Sequence, residues 1–352
     1  WVSRWTFAPP PNASVPSDYS LTCTFTDPTG LVHQSNVRAT INLRVIKRQK
    51  MAFVSNRRYP IGVNDAMDLF VSNTDGTETK LVKEDGQLMI SPRWSPDGST
   101  IVYSRTTGKW SDNSVNFSLC SILRDGSQSK VLLAPPPTWV QGVKASTFSF
   151  DGTGVWAMGT TASGTELVKV LLDGTVATSV SSGFPFTQQQ CVWNGLALHP
   201  LYGHLLMCDS NGQFHYFDPQ ASLEYAVTQP STGWRLVEPT VTPDGQKVYF
   251  SCVSPSQPNG SAQREIFWAP LSVDTAAHTV TIGAPVSFQD KSESPNFGID
   301  PDVLFYQKQI SATARQLMRY QISTNKHSVL SLSANKFEDD GCVTTYPEVY
   351  AP

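Results

Sequence analysis

A short unit recurs along the chain and limits it to architectures built from repeated strands. Its clearest copy is Ser91-Pro92-Arg93-Trp94-Ser95-Pro96-Asp97-Gly98, followed by the strand-forming run Ile101-Val102-Tyr103. Pro96 presets φ for a turn, Asp97 can bond back to the local backbone, and Gly98 accepts positive φ. Phe148-Ser149-Phe150-Asp151-Gly152 runs in the same way into Val155-Trp156-Ala157-Met158. Val241-Thr242-Pro243-Asp244-Gly245 runs into Val248-Tyr249-Phe250. Two copies are worn, one around Leu198-His199-Pro200 and one around Phe297-Gly298-Ile299-Asp300.

Aligned, the copies put Trp94, Phe148, Leu198, Val241 and Phe297 in one apolar column, at spacings of 54, 50, 43 and 56 residues. A strand unit repeating at this period reads as a propeller, with blades of about four strands and about 40–50 residues. One blade cannot bury both its faces alone, so the column is expected to pack between neighbours. The motif resembles the Trp-Ser-Pro-Asp-Gly repeat of the TolB-type six-bladed propellers, also called the WD40-like repeat. Trp94 to Gly98 match it in full, Thr242 to Gly245 match after the Trp position, and Phe148 to Gly152 match loosely. The resemblance covers residues 47–352 and implies an all-β, six-bladed propeller. It says little about activity, because such scaffolds host many.

Met51-Ala52-Phe53-Val54-Ser55 matches the second strand of the unit, with no first strand upstream. Asp68 to Ser72 is the third strand, and Lys80-Leu81-Val82 begins the fourth after an Asp75-Gly76 hairpin. The missing strand is expected from the other end of the chain. There Tyr346-Pro347-Glu348-Val349-Tyr350 aligns with Ser91 to Ser95, Pro347 on Pro92 and Val349 on Trp94. A strand swap between the chain ends would then close the ring.

Residues 1–46 follow a different pattern. Tyr19, Leu21, Cys23 and Phe25 alternate, Asp27-Pro28-Thr29-Gly30 forms a turn, and Val37, Ala39, Ile41, Leu43 and Val45 alternate again. The segment resembles the closing strands of an immunoglobulin-like or PKD-like module. About three strands are present where such sandwiches use about seven. Another polypeptide segment, upstream in a longer precursor or from a neighbouring subunit, is therefore expected to complete it, with assembly into a surface filament or layer; the alternative is a hairpin packed on the propeller's side. Lys47, Arg48 and Lys50 read as a solvated linker between the two parts.

The net charge of −3 and pI near 6.1 argue against a nucleic-acid partner or an anionic membrane. No apolar run approaches the ~18 residues of a membrane span. The start at Trp1, without a basic and apolar leader, is expected of a processed chain or a piece of a longer one. Six cysteines without a Cys-x-x-Cys pair leave fifteen disulfide pairings open, and Cys208 and Cys252 read equally well as small buried hydrophobes. Asn12, Asn116 and Asn259 sit in N-glycosylation patterns, which makes them glycan candidates in a secreted glycoprotein.

Chemistry is sparse. Neither a Gly-x-Ser-x-Gly elbow nor a His-Glu-x-x-His motif occurs. The TolB-like lyases of pectic oligosaccharides use channel histidines with a divalent metal, but the histidines here do not recur at an inner-strand position. His199 and His204 are expected as solvated turn residues away from the channel, with His215 nearby. Glu338-Asp339-Asp340 reads as a charged loop before the last strand, with a Ca²⁺ site or an acid/base pair as the alternatives. Gly152 to Ala157 fits a dinucleotide fingerprint only formally, since no helix follows. Trp110, Trp139, Trp193 and Trp234 fall near blade connections, where packing competes with a carbohydrate or peptide site. Asp97, Gly98, Asp151, Gly152, Asp244 and Gly245 are structural turn residues.

The resulting expectation is a non-catalytic secreted or cell-surface interaction protein without a cofactor, free of hydrolase or lyase turnover. Its partners would be proteins, including copies of itself through the N-terminal module. The alternatives are a periplasmic TolB-like envelope scaffold and a carbohydrate-active hydrolase or lyase.

Overall fold

Runs of β-branched and aromatic residues between Gly, Asp and Pro turns give strands, and the described residues contain no helix. The computed structural model describes residues 19–21, 24–26, 29, 32–34, 39–41, 48–59, 66–74, 76, 79–84, 86–106, 115–180, 191–231, 233–254, 263–298, 301–311, 314–330 and 338–348. The chain divides into two compact units, Trp1–Arg48 with Pro347–Pro352, and Gln49–Tyr346.

In the first unit β1 (Tyr19–Leu21) pairs antiparallel with β4 (Ala39–Ile41). Inside that pair, β2 (Thr24–Thr26) meets β3 (Val32–Gln34) across a turn at Thr29. Of the alternation expected over 37–45, residues 39–41 form β4 and the others lie outside the described residues. Asn12 lies outside them.

The second unit is a succession of small antiparallel sheets. β5 (Arg48–Ser55), β6 (Asp68–Asn73) and β7 (Lys80–Lys83) form the first. Arg48 and Lys50 thus belong to a strand rather than a linker, and Lys50 Nζ donates to Asn73 Oδ1 at 2.7 Å. The second sheet is β8 (Met89–Trp94), β9 (Thr100–Thr106), β10 (Phe117–Leu123) and β11 (Lys130–Leu133). The third is β12 (Trp139–Phe148), β13 (Gly154–Thr161), β14 (Gly164–Leu171) and β15 (Val176–Val180). The fourth is β16 (Cys191–Leu198), β17 (Leu205–Asp209), β18 (Phe214–Asp218) and β19 (Leu223–Thr228).

The fifth sheet has β20 (Arg235–Val241), β21 (Lys247–Val253) and a long β22 (Arg264–Asp274). The first part of β22 pairs with β24 (Val286–Asp290) and its end with β23 (Thr279–Ile282). β23 also runs parallel to β19, tying the fourth sheet to the fifth. The sixth is β25 (Ser292–Phe297), β26 (Val303–Ser311), β27 (Ala314–Gln321) and β28 (Lys326–Val329). The last strand, β29 (Glu338–Glu348), returns to β5, giving the order β29-β5-β6-β7. Glu338-Asp339-Asp340 is therefore the start of a strand, not a loop before one.

The apolar cores lie between sheets, and their order is cyclic. Val54 and Leu69 of the first sheet pack with Trp94 and Tyr103 of the second. Leu119 of the second meets Phe148 and Val155 of the third, and Trp156 of the third meets Leu205 of the fourth. Phe214 of the fourth meets Phe250 of the fifth, and Tyr249 of the fifth meets Leu304 and Tyr306 of the sixth. Phe305 and Leu317 of the sixth then pack on Met51 and Phe53 of the first. Each sheet hides both faces against neighbours, which no single four-stranded sheet can do alone.

Candidate functional site: an apolar funnel with a cationic floor

The recurring turns converge on one place. In each full copy a Ser or Thr two residues before the Asp organises the turn. Ser95 Oγ donates to Asp97 Oδ1 at 2.5 Å and accepts from Thr100 N, while Asp97 accepts from Ser99 N. Ser149 with Asp151, and Thr242 with Asp244, repeat the arrangement. Burial opposes the charge on Asp97, but its bonds from Ser95 and Ser99 outweigh that and hold the carboxyl below its usual range. Asp151 and Asp244 are lowered by the same balance. All three carboxylates accept bonds within their own turns, and Asp151 also pairs with Lys169 at 3.1 Å.

The turn glycines have a second role. Gly98, Gly152 and Gly245 adopt φ of 67°, 68° and 70°. Pro96 lies against Gly152, Phe150 against Gly203, and His199 and Leu201 against Gly245. Each turn thus rests on the glycine of the next.

Below the turns the first strands of neighbouring sheets face one another. All of them break register, between Ile90 and Arg93, Val140 and Val143, Cys191 and Leu196, Val237 and Thr240, and Glu293 and Asn296. At each break a non-glycine residue takes a left-handed conformation: Ser91 (55°), Gln141 (63°), Asn194 (54°), Glu238 (52°) and Ser294 (53°). Ser91, Glu238 and Ser294 also precede prolines, which normally push the preceding residue into extended conformations. Such backbone costs of about 1–3 kcal/mol each persist where the surroundings over-determine them, and they cluster at functional sites.

The surroundings here are polar. Glu238 Oε2 accepts from Ser251 Oγ at 2.7 Å and from Ser294 N at 2.9 Å. Arg264 bridges Glu238 and Glu293, and Arg315 also bonds Glu293. Ser91 of the second sheet donates across to Asn194 of the fourth.

Above this constriction opens a cavity of about 410 Å³. Trp94, Phe148, Leu198, Val241 and Phe297 all line it, so the whole apolar column of the sequence meets at one site. They also pack between neighbours as expected: Trp94, Phe148 and Val241 are members of the inter-sheet cores, and Leu198 and Phe297 pack against them. Pro96, Pro200 and Pro243 border the mouth, and Arg93 is the only charged side chain lining the cavity among the described residues. Arg93 also lines the constriction below, with Asn194, Glu238 and Asn296. Sequence reading missed Arg93 and the left-handed residues. The recurring Ser91-Pro92, Glu238-Pro239 and Ser294-Pro295 pairs were the available signal.

The histidines depart from expectation. His199 and His204 are 1% and 8% exposed, not solvated. His199 stacks on Tyr202, and His204 packs edge-on against Tyr216 and Tyr225. Burial pushes the His199 pKa down to about 4 and that of His204 below normal, so both rings are neutral near pH 7. His215 is held differently. Burial disfavours its charge, but Asp209 at 3.6 Å and Glu224 at 2.8 Å outweigh that and raise its pKa to about 9.

Because the folded value exceeds the unfolded one of about 6.5, the stabilisation is complete below pH ~6.5 and is lost as pH rises through 9. His215→Gln is expected to cost about 2 kcal/mol at pH 6, after allowing for the exposure of Glu224, and little at pH 9.5. Urea denaturation of both proteins at the two pH values measures this, and an equal loss at both would rule the ion pairs out.

The tryptophans pack. Trp139 is 3% exposed and donates from Nε1 to Glu166 at 2.6 Å. Trp193 meets Phe117 edge-on with Lys144 over its ring, and Trp234 meets Phe267. Trp110 and Asn259 lie outside the described residues, while Asn116 is exposed beside β10. Cys120, Cys191, Cys208 and Cys252 are buried thiols. Among the described residues no three His, Cys, Asp or Glu are grouped to hold a metal ion, and no helix is long and apolar enough to cross a membrane.

No protein-family model and no curated protein match the chain in sequence. Solved structures do match in fold. TolB from Acinetobacter baumannii superposes with a TM-score of 0.57 at 16% identity, over 89% of this chain and 75% of that one. A putative TolB from Agrobacterium tumefaciens gives 0.50 at 14% identity, over 81% and 89%. Hydrazine synthase of Kuenenia stuttgartiensis gives 0.56 at 11% identity, over 87% of this chain and 48% of that one. At these identities the likeness concerns the fold alone, and it agrees with the turn motif and the strand pairing: the chain folds as a TolB-like β-propeller.

Proposed function

We propose that the chain is a non-catalytic binding scaffold, a six-bladed propeller with β29 completing its first blade, that docks a partner protein on the funnel face. The observation that carries this is an apolar mouth with apolar surroundings. Phe150, Leu201 and Tyr202 stand on the turns beside it, 56%, 54% and 43% exposed. Large exposed hydrophobics next to a concave apolar site mark interaction surfaces. Of the interaction readings, the TolB likeness supports an envelope scaffold in the periplasm better than a surface filament. Assembly through residues 1–46, immunoglobulin-like completion of that segment, glycosylation and carbohydrate binding have no comparable support.

A photo-crosslinking amino acid placed at Leu201 in the source cells tests the proposal. A discrete polypeptide adduct is expected there and not at Val131, which is 52% exposed but sits on an outer strand. No adduct at Leu201, or robust polysaccharide turnover by the purified chain, would overturn it.

A further inference from the structure

We propose that the floor of the funnel is a carboxylate site, in which Arg93 receives the single negative charge of a ligand whose apolar body fills the cavity above. The inference rests on the binding reading and names the chemistry the site selects.

The walls come from Trp94, Phe148, Leu198, Val241 and Phe297, with prolines at the rim. Nothing in them competes for a charged group. Arg93 is partly buried, and its Nη1 donates to the carbonyl of its own neighbour Pro92 at 3.0 Å. A guanidinium has five N–H donors, so most of this fork is uncommitted. No carboxylate pairs with Arg93 among the described residues, although Glu238 lies in the same constriction. Glu238 is already engaged by Ser251, Ser294 and Arg264. The turn carboxylates near the mouth, Asp97, Asp151 and Asp244, bond into their own turns.

A cation that borders an apolar cavity, with no carboxylate paired to it among the described residues, gains from an anion that enters and excludes water. One arginine neutralises one charge, and its planar fork matches a carboxylate with two parallel bonds. A dianionic phosphate would call for further cations, and no second cationic side chain lines the cavity among the described residues. The position of Arg93 is built rather than incidental. In a regular strand successive side chains alternate sides, so Arg93 and Trp94 would face opposite ways. Both line the cavity all the same, because β8 is the end strand of its sheet and its open edge faces the funnel.

The ligand is therefore an apolar body ending in a carboxylate. Two sources share this chemistry, the C-terminus of a partner polypeptide and a small apolar carboxylic acid. Titration calorimetry on the whole chain separates them with four probes: N-acetyl-leucyl-valyl-phenylalanine, its C-terminal amide, octanoate and octanol. The free acid of the peptide is expected to bind about tenfold tighter than the amide, the scale of one charge-assisted hydrogen bond. Arg93→Gln should erase that ratio with an unchanged melting midpoint, and Arg93→Lys should keep part of it. Phe297→Ala should weaken acid and amide together and preserve the ratio. Equal binding of acid and amide, with equal binding of octanoate and octanol, overturns the site, as does an acid preference that survives in Arg93→Gln. A preference for octanoate without peptide binding keeps the carboxylate site and overturns the protein-partner reading. A crosslinked polypeptide at Leu201 with no carboxylate preference does the reverse.

Discussion

Gly142→Ala is expected to cost about 3 kcal/mol or more, whereas Gly86→Ala costs about 1 kcal/mol. Both glycines are left-handed, with φ of 74° and 70°. An L-residue forced into that region loses roughly 1–2 kcal/mol, so this part of the penalty is common to both. Their surroundings differ. A Cβ on Gly86 would meet nothing within 4 Å. On Gly142 it would stand 2.2 Å from the carbonyl oxygen of Phe117 and 2.6 Å from its nitrogen. Those are backbone atoms at the Phe117↔Gly142 bridge, where β10 runs parallel to β12 and the second sheet meets the third. They cannot swing aside as the end of a flexible side chain can, so the strands must part. Overpacking of this kind adds about 1–3 kcal/mol. Urea melts of the two variants decide the matter, and equal losses would mean that the close approach at Gly142 is not a constraint.

The legible parts of this molecule were the local ones. A Pro-Asp-Gly turn is fixed by its own few residues, so the turns at Asp97, Asp151 and Asp244 were readable from sequence, as was their recurrence. The apolar column was readable too, because the turn places its strand position. Its meeting point was not, since the distance from Trp94 to Val241 across a ring depends on sheets far apart in the chain. Arg93 was hidden for a sharper reason. Period-two alternation assigns it to the side opposite Trp94, and only the place of β8 at the edge of its sheet brings both to the cavity. The burial of His199 and His204 is also non-local. Their neighbours Tyr216 and Tyr225 come from β18 and β19, so a turn sequence rich in Pro and Gly gave a solvated reading that packing reversed.

Deleting residues 338–352 is expected to abolish cooperative unfolding, the largest single effect the topology implies. The other sheets of the second unit each begin, in chain order, with the strand that faces its counterparts, namely β8, β12, β16, β20 and β25. The first sheet begins instead with β5, and the place beside it is taken by β29, eleven residues long. Without β29 the N–H and C=O groups along that edge of β5 are left to solvent or to another chain. At about 0.5–1.5 kcal/mol per bond, the ladder alone contributes several kcal/mol. A domain's whole stability is about 5–15 kcal/mol. Met51, Ala52, Phe53 and Val54, all no more than 2% exposed, would lose part of their shelter at the same time. The truncated chain should elute as aggregate and melt without a sharp transition. A synthetic peptide of residues 338–352 added during refolding should restore a monomer and its melting transition, because an extended strand can add to an open sheet edge in trans. A truncated chain that stays monomeric and melts like the full one would show that β29 decorates the sheet and does not close the ring.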